Sequence, residues 1–234
     1  MGTAGARGAA LTSRLFRASA RPAFIFMRDG LGEVVFDRRR GTRTAGEVPL
    51  ADLGIALPGR VDYKPAQWLT LWRILPRRQV GRDDVLIDLG SGKGRVVLQA
   101  ARYPLKRVIG VEVSAELNRI AQANLARDRP RLCCADVELV TSDVLAYEIP
   151  PDVTIVFLNN PFQGEIFRSA IAGLIASVDR YPRRVRIIYA NPVEHEALMA
   201  TGRVRLARRL SGMRPTREWS RSAATYLYEV SERP

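Results

Sequence analysis

The chain is poor in the residues most often used for nucleophilic and metal chemistry. Among 234 residues there is one histidine, His195, and there are two cysteines, the adjacent Cys133 and Cys134. His195 has no HExxH around it, which argues against a helical zinc site. No GxSxG elbow accompanies it, so a serine triad has no support. Flanked by Glu194 and Glu196, it reads as a surface histidine in a short helix. The cysteines give neither a disulfide framework nor a CxxC metal spacing, and two such thiols suit a reducing cytoplasm. They read as small buried or half-buried side chains without a redox role. No metal is expected. Long apolar runs are missing too. The longest candidate, Ala23–Met27, falls far short of the ~20 residues a membrane-spanning helix needs.

Lysine is scarce, at Lys64, Lys93 and Lys106 only, whereas arginine is abundant. The formal net charge is +13. Residues 1–60 hold ten Arg against five acids, residues 180–234 hold twelve against five, and the stretch between is nearly neutral. The excess therefore sits on the two ends. It is compatible with nucleic acid or an acidic partner, but charge alone names none. Composition drift is the plainer account. Residues 1–30 have no acid before Asp29 and resemble a targeting peptide or a surface helix up to Pro22. We expect residues 1–30 to be weakly ordered and cytoplasmic, within a basic, partly irregular extension or lid over 1–60, followed by one domain over 61–234.

Within the extension, residues 31–62 look irregular, with "EVVF" as a short strand. Pro65 opens a helix in "KPAQWLTLWRIL", where Trp68, Leu69, Leu71, Trp72 and Leu75 have helical spacing and Pro76 ends it. The chain then alternates. Strands are expected at 84–89, 107–113, 137–143, 153–160 and 184–192. Helices are expected at 94–103, 114–127 (Ser114 as N-cap), 164–180 and near 194–199. Two alternating segments, 203–210 and 223–230, close the sequence as an antiparallel pair. The pattern predicts an α/β fold: a mostly parallel sheet covered by helices on both faces.

In such sheets ligands sit at the carboxyl ends of the strands. "DLGSGKGR", Asp88 to Arg95, follows the first strong strand. A nucleoside-triphosphate loop fails there: Ile87 stands where its first glycine belongs and Gly94 where Ser or Thr should hold magnesium. A dinucleotide fingerprint fails at Arg95, where the third glycine belongs. Lys93 reads as a solvated side chain. What remains is Asp88 ahead of a Gly90-x-Gly92-x-Gly94 turn, Glu112 ending the second strand, and Asp143 after the third.

Asp88 to Gly94 resembles motif I of class I S-adenosylmethionine (AdoMet)-dependent methyltransferases. "DLGSGKGRVVLQAA", "GVEVS" and "VFLNNPFQGE" together resemble the non-SET histone-lysine methyltransferases of the disruptor-of-telomeric-silencing type and their bacterial relatives, over roughly residues 61–190. The resemblance implies a Rossmann-like seven-stranded sheet and AdoMet as cofactor. It implies Asp88 at the cofactor's ammonium, and Gly90, Ser91, Gly92 and Gly94 as its cradle. Glu112 and Val113 would lie at the ribose, and Ser142, Asp143 and Val144 at the adenine. Asn159, Asn160 and Phe162 would line the methyl-transfer channel, with Asn159 also near the cofactor. Tyr63 falls where an upstream segment covers it, and Tyr63, Glu165 and bulk water are candidate bases. Pro161 departs from the family pattern toward the [ND]PP[YF] loop of amino-nitrogen methyltransferases.

The implied reaction is methyl transfer to an amine or other nucleophile of a protein or small molecule. A nucleobase acceptor, a non-catalytic AdoMet-fold binding module with Arg-rich ends, and an NAD-dependent oxidoreductase remain the alternatives. Oligomeric state is left open.

Overall fold

The computed structural model describes residues 33–55, 57–211 and 224–231. The expectations for residues 1–30, including the basic helix, lie outside these residues. Seven strands form one sheet: β1 (Val85–Leu89), β2 (Arg107–Glu112), β3 (Asp136–Thr141), β4 (Ile155–Leu158), β5 (Arg186–Ala190), β6 (Val204–Leu210) and β7 (Thr225–Val230). Their order is β3-β2-β1-β4-β5-β7-β6. β1 to β5 are parallel, and β7 runs antiparallel to both β5 and β6. Among the described residues five α-helices accompany the sheet: α1 (Thr70–Ile74), α2 (Arg95–Ala100), α3 (Ala115–Asp128), α4 (Glu165–Arg180) and α5 (His195–Met199).

The central strands are buried along their whole length because both faces are covered. Side chains alternate between two cores. Val85, Ile87 and Leu89 of β1 join Phe167, Ile171 and Leu174 of α4 on one face. Leu86 of the same strand joins Leu71 and Ile74 of α1 and Val97 of α2 on the other. The sheet is extended from β1 toward β2 and β3 on one side and toward β4 and β5 on the other. The carboxyl ends of β1 and β4 therefore part at a switch point, where a crevice opens.

Several local expectations change. "EVVF" is a π-helical turn over Glu33–Asp37, not a strand. Phe36 stacks on Trp68 at 4.9 Å and Asp37 turns its carboxylate inward, so tertiary contacts override the alternating pattern. The helix expected from Pro65 is confined to Thr70–Ile74. Ahead of it, the Ala66 carbonyl accepts a bond from Arg95 Nη1 at 3.0 Å. Leu69 and Trp72 are exposed, Trp72 at 61%. His195 starts a short helix but is only part-exposed: its Nδ1 lies 2.8 Å from the Tyr228 hydroxyl and its ring meets Tyr226 edge-on. Cys133 is exposed and Cys134 buried. Ser114 does cap α3, accepting the Leu117 N–H at 3.2 Å.

Candidate active site

The glycine turn is held by the neighbouring strand. The N–H groups of Gly90 and Ser91 both donate to the Val111 carbonyl, at 2.8 and 3.0 Å. This bends the chain out of β1 and over the end of β2. Gly90, Gly92 and Gly94 all have positive φ. At two of them the reason for glycine is also space. A Cβ on Gly90 would stand 2.3 Å from Cβ of Pro161, and one on Gly92 would stand 2.1 Å from the Tyr63 ring. Gly94 differs, since its neighbour is Ala121 of α3. Ser91 also turns away from the crevice: its hydroxyl is buried, has no hydrogen-bond partner among the described residues, and points toward Gly110 of β2.

Two carboxylates lie at the turn. Glu112 is buried, and its two oxygens accept the N–H groups of Gly92 (2.8 Å) and Ser114 (2.9 Å). Asp88 is buried deeper, with no hydrogen-bond donor among the described residues. Burial pushes the Asp88 carboxyl well up, and the nearby Glu112 adds to this. Burial raises Glu112 too, against the pull of its backbone donors.

A cleft opens beside the turn, with Glu112 in its lining and Asp88 buried behind it. Gly90, Val111, Glu112, Val113, Leu117, Ser142, Val144, Asn159, Pro161 and Phe162 form its sheet side, and Leu50 with Arg60 to Lys64 form its cover. The cover is tied down by polar contacts. Val48 pairs backbone to backbone with Tyr63, and Arg60 with Phe162. The Tyr63 hydroxyl donates to the Thr44 carbonyl at 2.8 Å. Asp37 accepts from Thr42 (2.7 Å) and Thr44 (2.8 Å) and faces Arg95 Nη2 at 3.6 Å. Asn124 of α3 exchanges two bonds with the backbone of Arg43 and donates a third to the Lys93 carbonyl. Lys93 is not a solvated bystander: its ammonium donates to the Ala45 carbonyl at 2.8 Å and lies 5.0 Å from the Tyr63 ring.

The structure brings Val113, Ser142, Val144, Asn159 and Phe162 to the cleft. Asp143 lies just behind it. One of its oxygens pairs with the Arg60 guanidinium and the other accepts the Leu145 N–H at 2.9 Å. The Asn159 amide donates to the Lys64 carbonyl at 2.8 Å and accepts from Asn191 at 3.3 Å. Asn160 sits at φ 48 and accepts from the Tyr189 hydroxyl at 3.2 Å. Two base candidates do not fit. Tyr63 is a donor whose pKa burial drives far above the ordinary phenol value. Glu165 is exposed and paired with Arg168.

Sequence reasoning missed Arg60, Asn124, Asn191 and the Asp37–Arg95 clamp. Asn191 had a local signal. "NP" follows β5 as it follows β4, and Asn160 and Asn191 are the only two described non-glycine residues with positive φ. The others are contacts across tens of residues and left no pattern.

An AdoMet ligand suits this chemistry. It carries an ammonium and a sulfonium, so two buried carboxylates beside a glycine turn match its charge, and they would oppose a pyrophosphate.

Comparison with known proteins agrees with this. The family described as histone methylation protein DOT1 matches residues 66–197, more than half of the chain. A protein-lysine N-methyltransferase of Saccharolobus islandicus (strain REY15A) is 36% identical over 69 residues, covering 29% of this chain and 43% of that one. The H3 lysine-79 specific histone-lysine N-methyltransferase of Drosophila melanogaster is 34% identical over 113 residues, covering 44% and 6%. The chain thus spans less than half the length of these curated relatives. Among solved structures, an RNA methyltransferase from Salinibacter ruber in complex with S-adenosyl-L-homocysteine aligns with TM-score 0.51 and 20% identity, covering 73% and 96%. A ribosomal protein L11 methylase from Lactobacillus delbrueckii subsp. bulgaricus aligns at 0.50 and 18%, covering 73% and 81%. One fold thus serves an RNA and a protein methylase, so it does not name an acceptor. By its sheet, its glycine turn and the family match, the chain belongs to the DOT1 histone methylation protein family of AdoMet-dependent methyltransferases.

Proposed function

We propose that the chain binds AdoMet in the cleft between sheet and cover and transfers its methyl group to an amine, with a protein lysine as the favoured acceptor. The observation that carries this is the pair of buried carboxylates, Asp88 and Glu112, at a turn with no room for a Cβ. Asp88 takes the ammonium, and the missing side chains at Gly90 and Gly92 let Pro161 and Tyr63 close over the turn. Glu112 keeps lone pairs free for the ribose hydroxyls beside its two backbone bonds. Ser142, Val144 and the edge of Asp143 border the adenine. When bound, AdoMet supplies a methyl group on a positively charged sulfur, a good leaving group. The protein's work is alignment and exclusion of water. The cover residues 50–64 serve as lid, and Tyr63 closes it by packing on Gly92 rather than acting as base. The acceptor amine reaches the Asn159–Phe162 loop, where amide and carbonyl oxygens orient its lone pair, and it loses its proton to bulk water.

The loop conformation supports the lysine reading over a nucleobase reading. In the [ND]PP[YF] motif a proline would stand at Asn160. Proline is locked near φ −65°, whereas Asn160 has φ 48. The lysine relatives point the same way. The test is calorimetric titration with AdoMet and, separately, NAD, followed by radiolabelled methyl transfer into lysate split into protein, RNA and small molecules. AdoMet binding with label on protein lysine is expected. No binding at millimolar AdoMet ends the reading, and label on RNA alone replaces the acceptor.

A further inference from the structure

Counted along the chain, the excess of arginine sits at the two ends, but folding assembles a basic surface from the first end and the middle. Arg38–Arg40 form a 3-10 turn, and the turn Arg129–Arg131 follows directly on α3. Arg102, just past α2, meets them at Asp128. Arg102 pairs with one oxygen of this fully buried carboxylate, and Arg131 Nη1 stands 3.5 Å from the other. Arg40 is close enough for its charge to couple to both arginines. Its guanidinium is fixed over the rings of Phe36 (5.0 Å) and Trp68 (5.1 Å). Arg127 joins the same surface, its Cδ lying 3.7 Å from the position a Cβ on Gly41 would take.

Two carboxylates lie within this group, Asp128 and Asp37, and both act on Arg40 through their charge, but each is engaged by other partners. Asp128 is taken by Arg102 and Arg131, and Asp37 by Thr42, Thr44 and Arg95. Arg39, Arg40, Arg43, Arg127 and Arg129 have no carboxylate partner among the described residues. Arg39, Arg43, Arg127, Arg129 and Arg131 are all exposed, so their charged ends are open to a partner from solvent. A guanidinium fork matches a phosphate in two parallel bonds, and several forks on one face match a repeating phosphate.

We propose that this surface docks the phosphate backbone of a nucleic acid, with Arg40 and Arg131 at its centre and Arg39, Arg43, Arg127 and Arg129 around them. Trp68 is buried and the faces of Phe36 and Trp68 carry Arg40, so no ring there is free to stack a base. The contact is therefore with backbone and indifferent to sequence. The surface adjoins the glycine turn on the side away from the cleft: Asn124 holds the Arg43 backbone and the Lys93 carbonyl at once, and none of the three lines the cleft. A bound nucleic acid would therefore leave the cofactor cleft open.

Fluorescence anisotropy with a labelled single-stranded RNA of about 16 nucleotides tests this. The wild type should bind, with affinity falling as salt rises. The double variant Arg127→Gln/Arg129→Gln should lose about tenfold in affinity, and its log–log salt slope should fall by about 1.4, near 0.7 per lost phosphate contact. Adding Arg40→Gln should deepen both effects. That substitution also removes a ring contact, so its melting temperature is checked, and the exposed pair carries the test alone if it unfolds. Arg205→Gln, on edge strand β6, should change nothing. AdoMet titration of the same variants should be unaltered, which keeps this inference separate from the cofactor reading. The idea is overturned if the wild type binds no RNA, if Arg205→Gln weakens binding equally, or if polyglutamate of matched charge displaces the RNA as well as unlabelled RNA does.

Discussion

The two walls of the cleft are built by different forces. The sheet wall rests on β1, β2 and β4, whose side chains are almost all removed from water. Each such Val, Leu or Ile contributes roughly 1.5–3 kcal/mol by burial. The cover with the segment that anchors it, residues 36–55 and 57–64, has few apolar anchors, chiefly Leu50, and is held by a handful of polar contacts: Asp37 with Arg95, Asn124 with Arg43, Arg60 with Asp143, Tyr63 with Thr44. A wall held by burial resists opening until the whole sheet unfolds. A wall held by a few hydrogen bonds can detach alone. A cleft with one wall of each kind can admit a ligand while keeping half of its binding geometry fixed.

The largest expected effect on ligand affinity comes from forcing the walls apart. Gly90→Val places a side chain where Pro161 already stands, on a backbone at φ +84 that branched residues do not tolerate. AdoMet affinity should drop by more than ~100-fold, in line with a strained backbone costing about 3 kcal/mol. Calorimetry measures it, and affinity within threefold of wild type would show that the turn does not set the cleft.

Next is the clamp. Asp37→Ala leaves Arg95 buried at the start of α2 without its carboxylate, a change that typically costs about 3–5 kcal/mol. If the walls are independent, hydrogen exchange should rise across residues 37–64 while β1, β2 and β4 stay protected. Equal loss of protection in both would mean the cover is part of the core.

The same contrast explains what the sequence made legible. β1, β2, β4 and β5 stand out because strands buried on both faces read as unbroken Val/Ile/Leu runs, and their ends carry Asp88, Glu112 and Asn159 within a residue or two. Site residues next to a strand end inherit the strand's clarity. The cover has no such period. Its partners lie far away along the chain, 81 residues for Arg43 and Asn124 and 83 for Arg60 and Asp143. "EVVF" misled because its fate depends on Trp68 and Arg95, not on its own pattern. Lys93 looked solvated because its partners, two backbone carbonyls of the cover, have no sequence signature.

The carboxylates of the sheet wall give a pH test. Burial raises Asp88 and Glu112 above their unfolded values, so the folded protein holds their protons to higher pH. Stability of the free protein from this pair is therefore greatest below the unfolded carboxylate values and declines as pH rises through the raised ones. Cationic AdoMet favours the ionised forms, so its affinity should move the opposite way, falling as pH drops, with protons released on binding. Glu112→Gln should reduce that release and weaken AdoMet by about 1–3 kcal/mol. Proton uptake on binding, read from calorimetry in two buffers, would contradict the charge match on which the cofactor site rests.

The smallest effect is expected where the two walls touch through charge. Arg60 of the cover holds Asp143, which lies just behind the cleft between Ser142 and Val144 and which the proposed binding mode sets beside the adenine. The pair is partly open to solvent, so its own worth is about 1 kcal/mol or less. Arg60→Gln should therefore leave the melting temperature nearly unchanged. It should also free a carboxylate oxygen for the adenine amino group and loosen the cover, so AdoMet should associate faster and bind up to about fivefold more tightly, within that 1 kcal/mol. Salt gives the second readout: it weakens the ion pair, so association with the wild type should speed up as salt rises while the variant stays flat. Stopped-flow fluorescence of Trp68, which packs against the cover at Phe36, follows both. Weaker binding by Arg60→Gln would make Arg60 a wall of the bound state rather than a latch on the free one, and the cover would then be a fixed part of the site.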